Sequence, residues 1–106
     1  MKADAFRKFA LSQPSANEEP HFEAASFRIK GRIFATLPPG GEYAHIFVDD
    51  EQREMALAMY PAFIEKLVWG KKVWGVRVHL AKAKPEAVEA LLTSAWRRKA
   101  PKALLK

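Results

Sequence analysis

The chain contains no cysteine. Disulfides, thiolate metal sites and cysteine nucleophiles are therefore excluded, and the composition fits a cytoplasmic protein. No apolar run approaches the roughly 18 residues that a membrane span requires, so no membrane association is expected. The opening stretch, MKADAFRKFALSQ, has only short apolar pieces and no small-residue cleavage site, so a secretory signal is not expected. A phosphate-binding loop is also missing. Pro38-Pro39-Gly40-Gly41 lacks the Lys-Ser/Thr that would follow, and it leads into a strand pattern rather than a helix. Ser12, Ser15, Ser26 and Ser94 lie in no nucleophile elbow. There is no internal repeat.

What is present is one domain's worth of chain. The 106 residues suffice for a single core, taken as one domain over 1–106, and 49% of them are hydrophobic. The net charge of +6 is unevenly spread. Residues 1–65 carry seven lysines and arginines against ten acids, a balance of −3. Residues 66–106 carry eleven against two, a balance of +9. A basic half of this kind suits nucleic acid, an acidic partner or an anionic surface, and it is also what an ordinary solvated face can look like.

The most informative stretch is SFRIKGRIFATL, Ser26 to Leu37. Phe27 and Ile29 alternate with Arg28 and Lys30, a period of two that predicts a half-buried strand. Gly31 tolerates positive φ, so the chain can reverse tightly at Lys30-Gly31. The returning run is apolar at Ile33, Phe34, Ala35 and Leu37, as a central strand would be. Before this hairpin, Asp4 is expected to cap a helix running to about Ser12, with Phe6, Phe9 and Ala10 as its apolar stripe. Gln13 to Pro20 reads as a loop.

After the hairpin, Glu42 to Val48 is expected to form a strand. Ala44, Ile46 and Val48 would share one face, with Tyr43, His45 and Phe47 on the other. Asp49 or Asp50 should cap a second helix that buries Met55 and Met59, with Leu57 or Ala58 as further candidates, and ends at Pro61. A short strand from Phe63 to Val68 and a turn at Gly70-Lys71-Lys72 should precede a last strand, Val73 to Leu80. Trp74, Val76, Val78 and Leu80 would form its buried face. Pro85 opens a third helix, on which Val88, Leu91, Leu92, Ala95 and Trp96 repeat at i, i+3, i+4, i+7 and i+8. The basic tail is broken by Pro101. The order α-β-β-β-α-β-β-α predicts an α+β fold, a two-layer sandwich whose antiparallel sheet has helices packed on one side. The core is expected to include Phe9, Phe27, Ile29, Ile33, Ala35, Ala44, Ile46, Val48, Val76, Val78, Leu91, Leu92, Ala95 and Trp96.

An ordered set of segments resembles the MmcQ/YjbR family. It comprises Pro20-His21-Phe22, Ser26 to Leu37, Trp74 to Leu80, the helix segment Leu91 to Trp96, and Ala100-Pro101-Lys102. The match runs from about residue 4 to residue 104. The resemblance implies a frataxin-like (CyaY-like) fold and DNA binding through a double-wing arrangement of sheet and loops. Iron-binding frataxins present an acidic ridge on the first helix. Here that helix offers Asp4 beside Lys2, Arg7 and Lys8, so iron binding does not carry over.

Charge polarity and resemblance together point to a nucleic-acid surface formed by Arg28, Lys30, Arg32, Trp69, Lys71, Lys72 and Arg77. The cations would neutralise phosphates, and Trp69 would stack on a base or lie against a groove. Arg97, Arg98, Lys99 and Lys102 cluster at the end of the last helix, where cations also simply complement the helix dipole. Trp74 and Trp96 read as core. His21, His45 and His79 have no close ligand spacing, so no metal and no cofactor is expected. With no catalytic set in view, the chain is expected to be a non-catalytic DNA-binding monomer, and no protein partner is specified. The rival expectation is a protein-interaction module that uses Phe34, Tyr43 and Phe47 on an uncovered sheet face. A third possibility, an enzyme or ligand binder, would need a pocket that joins His79 or His45 to a carboxylate.

Overall fold

The computed structural model describes residues 1–105. Helix α1 (Ala3–Ser12) precedes four strands: β1 (Ala16–His21), β2 (Ala24–Ile29), β3 (Arg32–Leu37) and β4 (Tyr43–Ile46). Helix α2 (Asp50–Met59), strands β5 (Ile64–Trp69) and β6 (Lys72–His79), and helix α3 (Pro85–Lys99) follow. The six strands form one open antiparallel sheet in the order β1-β2-β3-β4-β6-β5. The fold is thus α+β, with three helices and a single core between them and one face of the sheet.

The β2–β3 hairpin turns at Lys30-Gly31, both with positive φ (51° and 80°), the geometry that suits the right-handed twist of the flanking strands. Phe27, Ile29 and Ala35 face the helices and are fully buried. On α3, Val88, Leu91, Leu92, Ala95 and Trp96 all enter the core, as their spacing requires. The Trp96 indole donates to the Pro14 carbonyl at 3.0 Å, which ties α3 to the end of α1.

Several expectations are corrected. The segment read as a loop, Gln13 to Pro20, contains most of β1, an added edge strand. β1 has almost nothing to bury, so no apolar alternation marks it. Backbone pairing to β2 holds it, the Ser26 hydroxyl donates to the Glu19 carbonyl at 2.6 Å, and Pro20 is tolerated at a sheet edge. Asp4 lies inside α1 rather than at its cap; Lys2 takes that position without a side-chain bond. Asp49 does cap α2, accepting from the Gln52 amide at 2.9 Å.

Met55 and Met59 are exposed rather than buried. The inner face of α2 is instead Arg53, Ala56, Leu57 and Tyr60, at i, i+3, i+4 and i+7. Arg53 lies along that face and pairs with Asp50 and Glu54 at 2.7 and 2.8 Å. Phe9 is only partly buried.

Two β-bulges account for the remaining differences. Opposite Phe27 and Arg28, β3 carries one extra residue, Phe34. Opposite Leu67 and Val68, β6 carries one extra residue, Trp74. A bulge places two neighbouring side chains on the same side and shifts the alternation beyond it. Phe34 therefore joins Ala35 in the core, and Ile33 is left half-buried. Trp74 leaves the helix side and is partly exposed.

Candidate nucleic-acid interface

The sheet face turned away from the helices carries a row of polar residues across all six strands. Register places Glu19 opposite Ser26, Ser26 opposite Thr36, Thr36 opposite His45, His45 opposite Arg77, and Arg77 opposite Glu65. Most of the row is bonded side chain to side chain. Arg77 Nε donates to His45 Nε2 at 3.2 Å. An arginine cannot accept, so the His45 proton resides on Nδ1 and is donated to Thr36 Oγ1 at 3.3 Å. Glu65 accepts at 3.2 Å from His79 and lies 3.7 Å from Arg77. His45 is 8% exposed and Thr36 5%. Burial, followed by the adjacent Arg77 charge, lowers the His45 pKa from 6.5 to about 4.

Beside this row lies an aromatic cluster. Trp69 meets Trp74 at 5.6 Å, His45 at 5.6 Å and Phe47 at 5.9 Å between ring centroids. The Lys72 ammonium sits 4.2 Å from the centre of the Trp74 ring. Arg77 lies over Tyr43, 5.7 Å from its ring centre. The bulge at Trp74 creates the tryptophan pair. Gly75, next to it, permits the close approach of β4, since a Cβ there would collide with the Ile46 carbonyl oxygen.

A groove opens where β4 stops short. β4 pairs with β3 only at Ala35 and Thr36, and with β6 no further than Val76. The first residues of β3 and β6 therefore extend past it with no strand between them. The Phe47 side chain and the end of α3 fill part of this gap. The remaining groove, about 470 Å³, is lined by Arg32, Phe47, Trp69, Lys72, Trp74, Arg98 and Lys99, among others.

Arg32 donates to the Lys99 carbonyl and Arg98 to the Phe47 carbonyl, each at 3.2 Å. Among the described residues, none of the four cations forms an ion pair with a carboxylate. Partial burial lowers the Lys99 pKa, and the charges of Arg98, Arg32 and Lys72 lower it further. Four positive groups thus crowd one another around an aromatic floor.

Of the residues expected to form the surface, Arg32, Trp69 and Lys72 come together in this groove. Lys30 and Lys71 occupy the tips of the β2–β3 and β5–β6 hairpins and are exposed outside it. Both tips lie at the groove's end of the sheet, since Arg32 and Lys72 begin the strands that follow them. Arg28 lies on the open face of β2, its Nε donating to Ser26 Oγ at 3.0 Å. Arg77 belongs to the polar row.

Trp74, expected in the core, is the correction that matters most here. Arg98 and Lys99 also enter the groove, although the sequence offers them only as a basic helix end. His45 and Thr36 carry no sequence signal beyond their place on a strand.

The aromatic face expected for protein contact is not formed as anticipated. Phe34 is in the core, Phe47 is nearly buried, and only Tyr43 of the three is exposed. The side-chain bonds of His45 go to Thr36 and Arg77 rather than to a carboxylate, although Glu23 lines the same cleft as His45. His79 does meet Glu65, on the exposed face. Among the described residues, no group of three or more His, Asp or Glu is placed to hold a metal ion, and no helix is long and apolar enough to cross a membrane.

A family model described as YjbR matches residues 11–98 of the chain. No curated protein matches it, and no solved structure matches it.

Proposed function

The chain belongs to the YjbR family, and from that premise we propose that it is a non-catalytic, cytoplasmic DNA-binding protein whose groove between β3 and β6 holds backbone phosphates. The observation that carries this reading is the convergence of Arg32, Lys72, Arg98 and Lys99 beside Trp69 and Trp74 with no carboxylate among the described residues paired to them. Capping of α3 accounts for cations in its last turn. It does not account for Lys72 and Arg32 arriving at the same place from two hairpins. A phosphate chain would relieve the mutual repulsion, and Lys30 and Lys71 at the flanking tips would extend the contact along the backbone. The non-catalytic part of the reading draws support from His45, the histidine that is buried beside the cleft. Both of its ring nitrogens are engaged, which leaves it no free lone pair to act as a base.

Fluorescence anisotropy with labelled DNA over a series of salt concentrations tests the proposal. Each phosphate neutralised on duplex DNA contributes roughly −0.9 to the slope of log affinity against log salt. The double variant Lys72→Ala/Arg98→Ala should flatten that slope by about 1.8. An unchanged slope and affinity in that variant would remove the groove from the interface.

A further inference from the structure

The groove does not end at Trp69. On the other side of that ring a second cleft, about 800 Å³, is bounded by His21, Thr36, Pro38, Pro39, His45 and Trp69, with the β1–β2 turn at its rim. This volume falls within the range of small-molecule sites. His21, Thr36 and Trp69 line both spaces, so the two are continuous. Their chemistry differs. The groove is cationic, whereas among the described residues the cleft has no lysine or arginine, carries one carboxylate, Glu23, on the turn at its rim, and is walled by two prolines and an indole.

Its polar lining comprises the His21 and His45 rings, the Glu23 carboxylate and the nearly buried Thr36 hydroxyl. That oxygen already accepts from His45, which is itself held in one tautomer by Arg77. The hydroxyl hydrogen has no acceptor among the described residues, so the chain of donors ends with one hydrogen still to give. A mostly apolar cleft in which this hydroxyl is a fixed donor suits a planar heterocycle bearing an acceptor. Only on the side of the cationic groove would the group attached to that ring meet positive charge.

We propose that the cleft seats one unpaired base of a bound strand, packed against Trp69 and the Pro38-Pro39 wall and accepting a hydrogen bond from Thr36, while the adjoining groove holds the neighbouring phosphates. This deepens the phosphate-binding reading of the groove and rests on it. A paired base cannot enter, because its acceptor edge is occupied and its ring is stacked within the duplex. The protein therefore distinguishes single strands from duplex by the seat rather than by the groove.

The test compares two single strands of equal length, a short oligothymidylate and an abasic strand with the same number of phosphates, at fixed salt. The oligothymidylate should bind roughly tenfold more tightly, as stacking of a base on an aromatic side chain allows. Thr36→Val should reduce that ratio severalfold, and a circular-dichroism spectrum matching the wild type reports that the variant is folded. Thr36→Ser, which keeps the hydroxyl, should retain the ratio. Equal binding of the two strands with a steep salt slope overturns the base seat and leaves the groove reading standing. No binding of either strand, even at low salt, overturns both. A Thr36→Val variant that keeps the full ratio, or that weakens both strands equally, also overturns the seat.

Discussion

Acidification should destabilise the protein through His45. In the fold this ring is nearly buried, its Nε2 accepts from Arg77, and its pKa is lowered to about 4. In the unfolded chain it returns to about 6.5. Between those values the unfolded state binds a proton that the folded state refuses, so stability rises with pH across the window and is lost as pH falls through it. The difference corresponds to about 3 kcal/mol, nearly all of it gone by about pH 4. For a domain of this size that is a large share of the total.

The groups that face the ring are Arg77 on β6, Thr36 on β3 and Trp69 on β5, with His21 and Glu23 lining the same cleft and Glu65 beyond Arg77. Carboxylates elsewhere add their own acid sensitivity, so the comparison has to be differential. His45→Gln keeps an acceptor for Arg77 but cannot be protonated. Urea unfolding of both proteins at several pH values between about 6.5 and 4 gives the two curves. The wild type should fall below its near-neutral stability by about 3 kcal/mol more than the variant does. Parallel curves would mean that His45 is not held neutral in the fold, and the donor chain from Arg77 to Thr36 would lose its foundation.

The two bulge residues should respond to truncation by very different amounts. Phe34→Ala, in the core, should cost about 3–5 kcal/mol, whereas Trp74→Ala, on the partly exposed face, should cost about 1 kcal/mol or less; denaturant midpoints separate them. Gly75→Ala should cost about 2 kcal/mol or more, because φ is 151° and the added methyl meets the β4 backbone at the Ile46 carbonyl. Thermal unfolding of that variant should show a clear loss, and an unaffected melting temperature would contradict the close approach. Asp49→Ala should remove the α2 cap and cost about 1 kcal/mol, while Asp50→Ala, which leaves the cap in place, should cost less.

Much of this architecture was legible in the sequence. The Lys30-Gly31 turn, the faces of β4 and the stripe on α3 follow from glycine conformation and from periods of two and 3.6. These signals are local. β1 was not legible because an edge strand that buries almost nothing has no reason to alternate. The bulges were not legible because one inserted residue changes which side every neighbour faces, and only Gly75 hints at it. Phe34 and Trp74 were consequently exchanged between core and surface. The groove was half legible. Arg32, Trp69 and Lys72 stand out as basic or aromatic residues on hairpins. Arg98 and Lys99 reach the same place only because α3 packs beneath the gap left by a four-residue β4. No spacing along the chain records that distance in space.

The β6 bulge also bears on how this scaffold can diversify. If Trp74 were deleted, Val73 would still lie opposite Val68 and Gly75 opposite Leu67, now in unbroken register. Val76 and Val78 would keep their partners Lys66 and Ile64, and the layer beneath the helices would be undisturbed. The tryptophan is in that sense a graft: one codon sets whether Trp69 has an aromatic partner on the hairpin, with the paired register on either side kept. A lineage could gain or lose half of the tryptophan pair in a single step, while the cations around it, spread over β3, β6 and α3, would have to change one at a time.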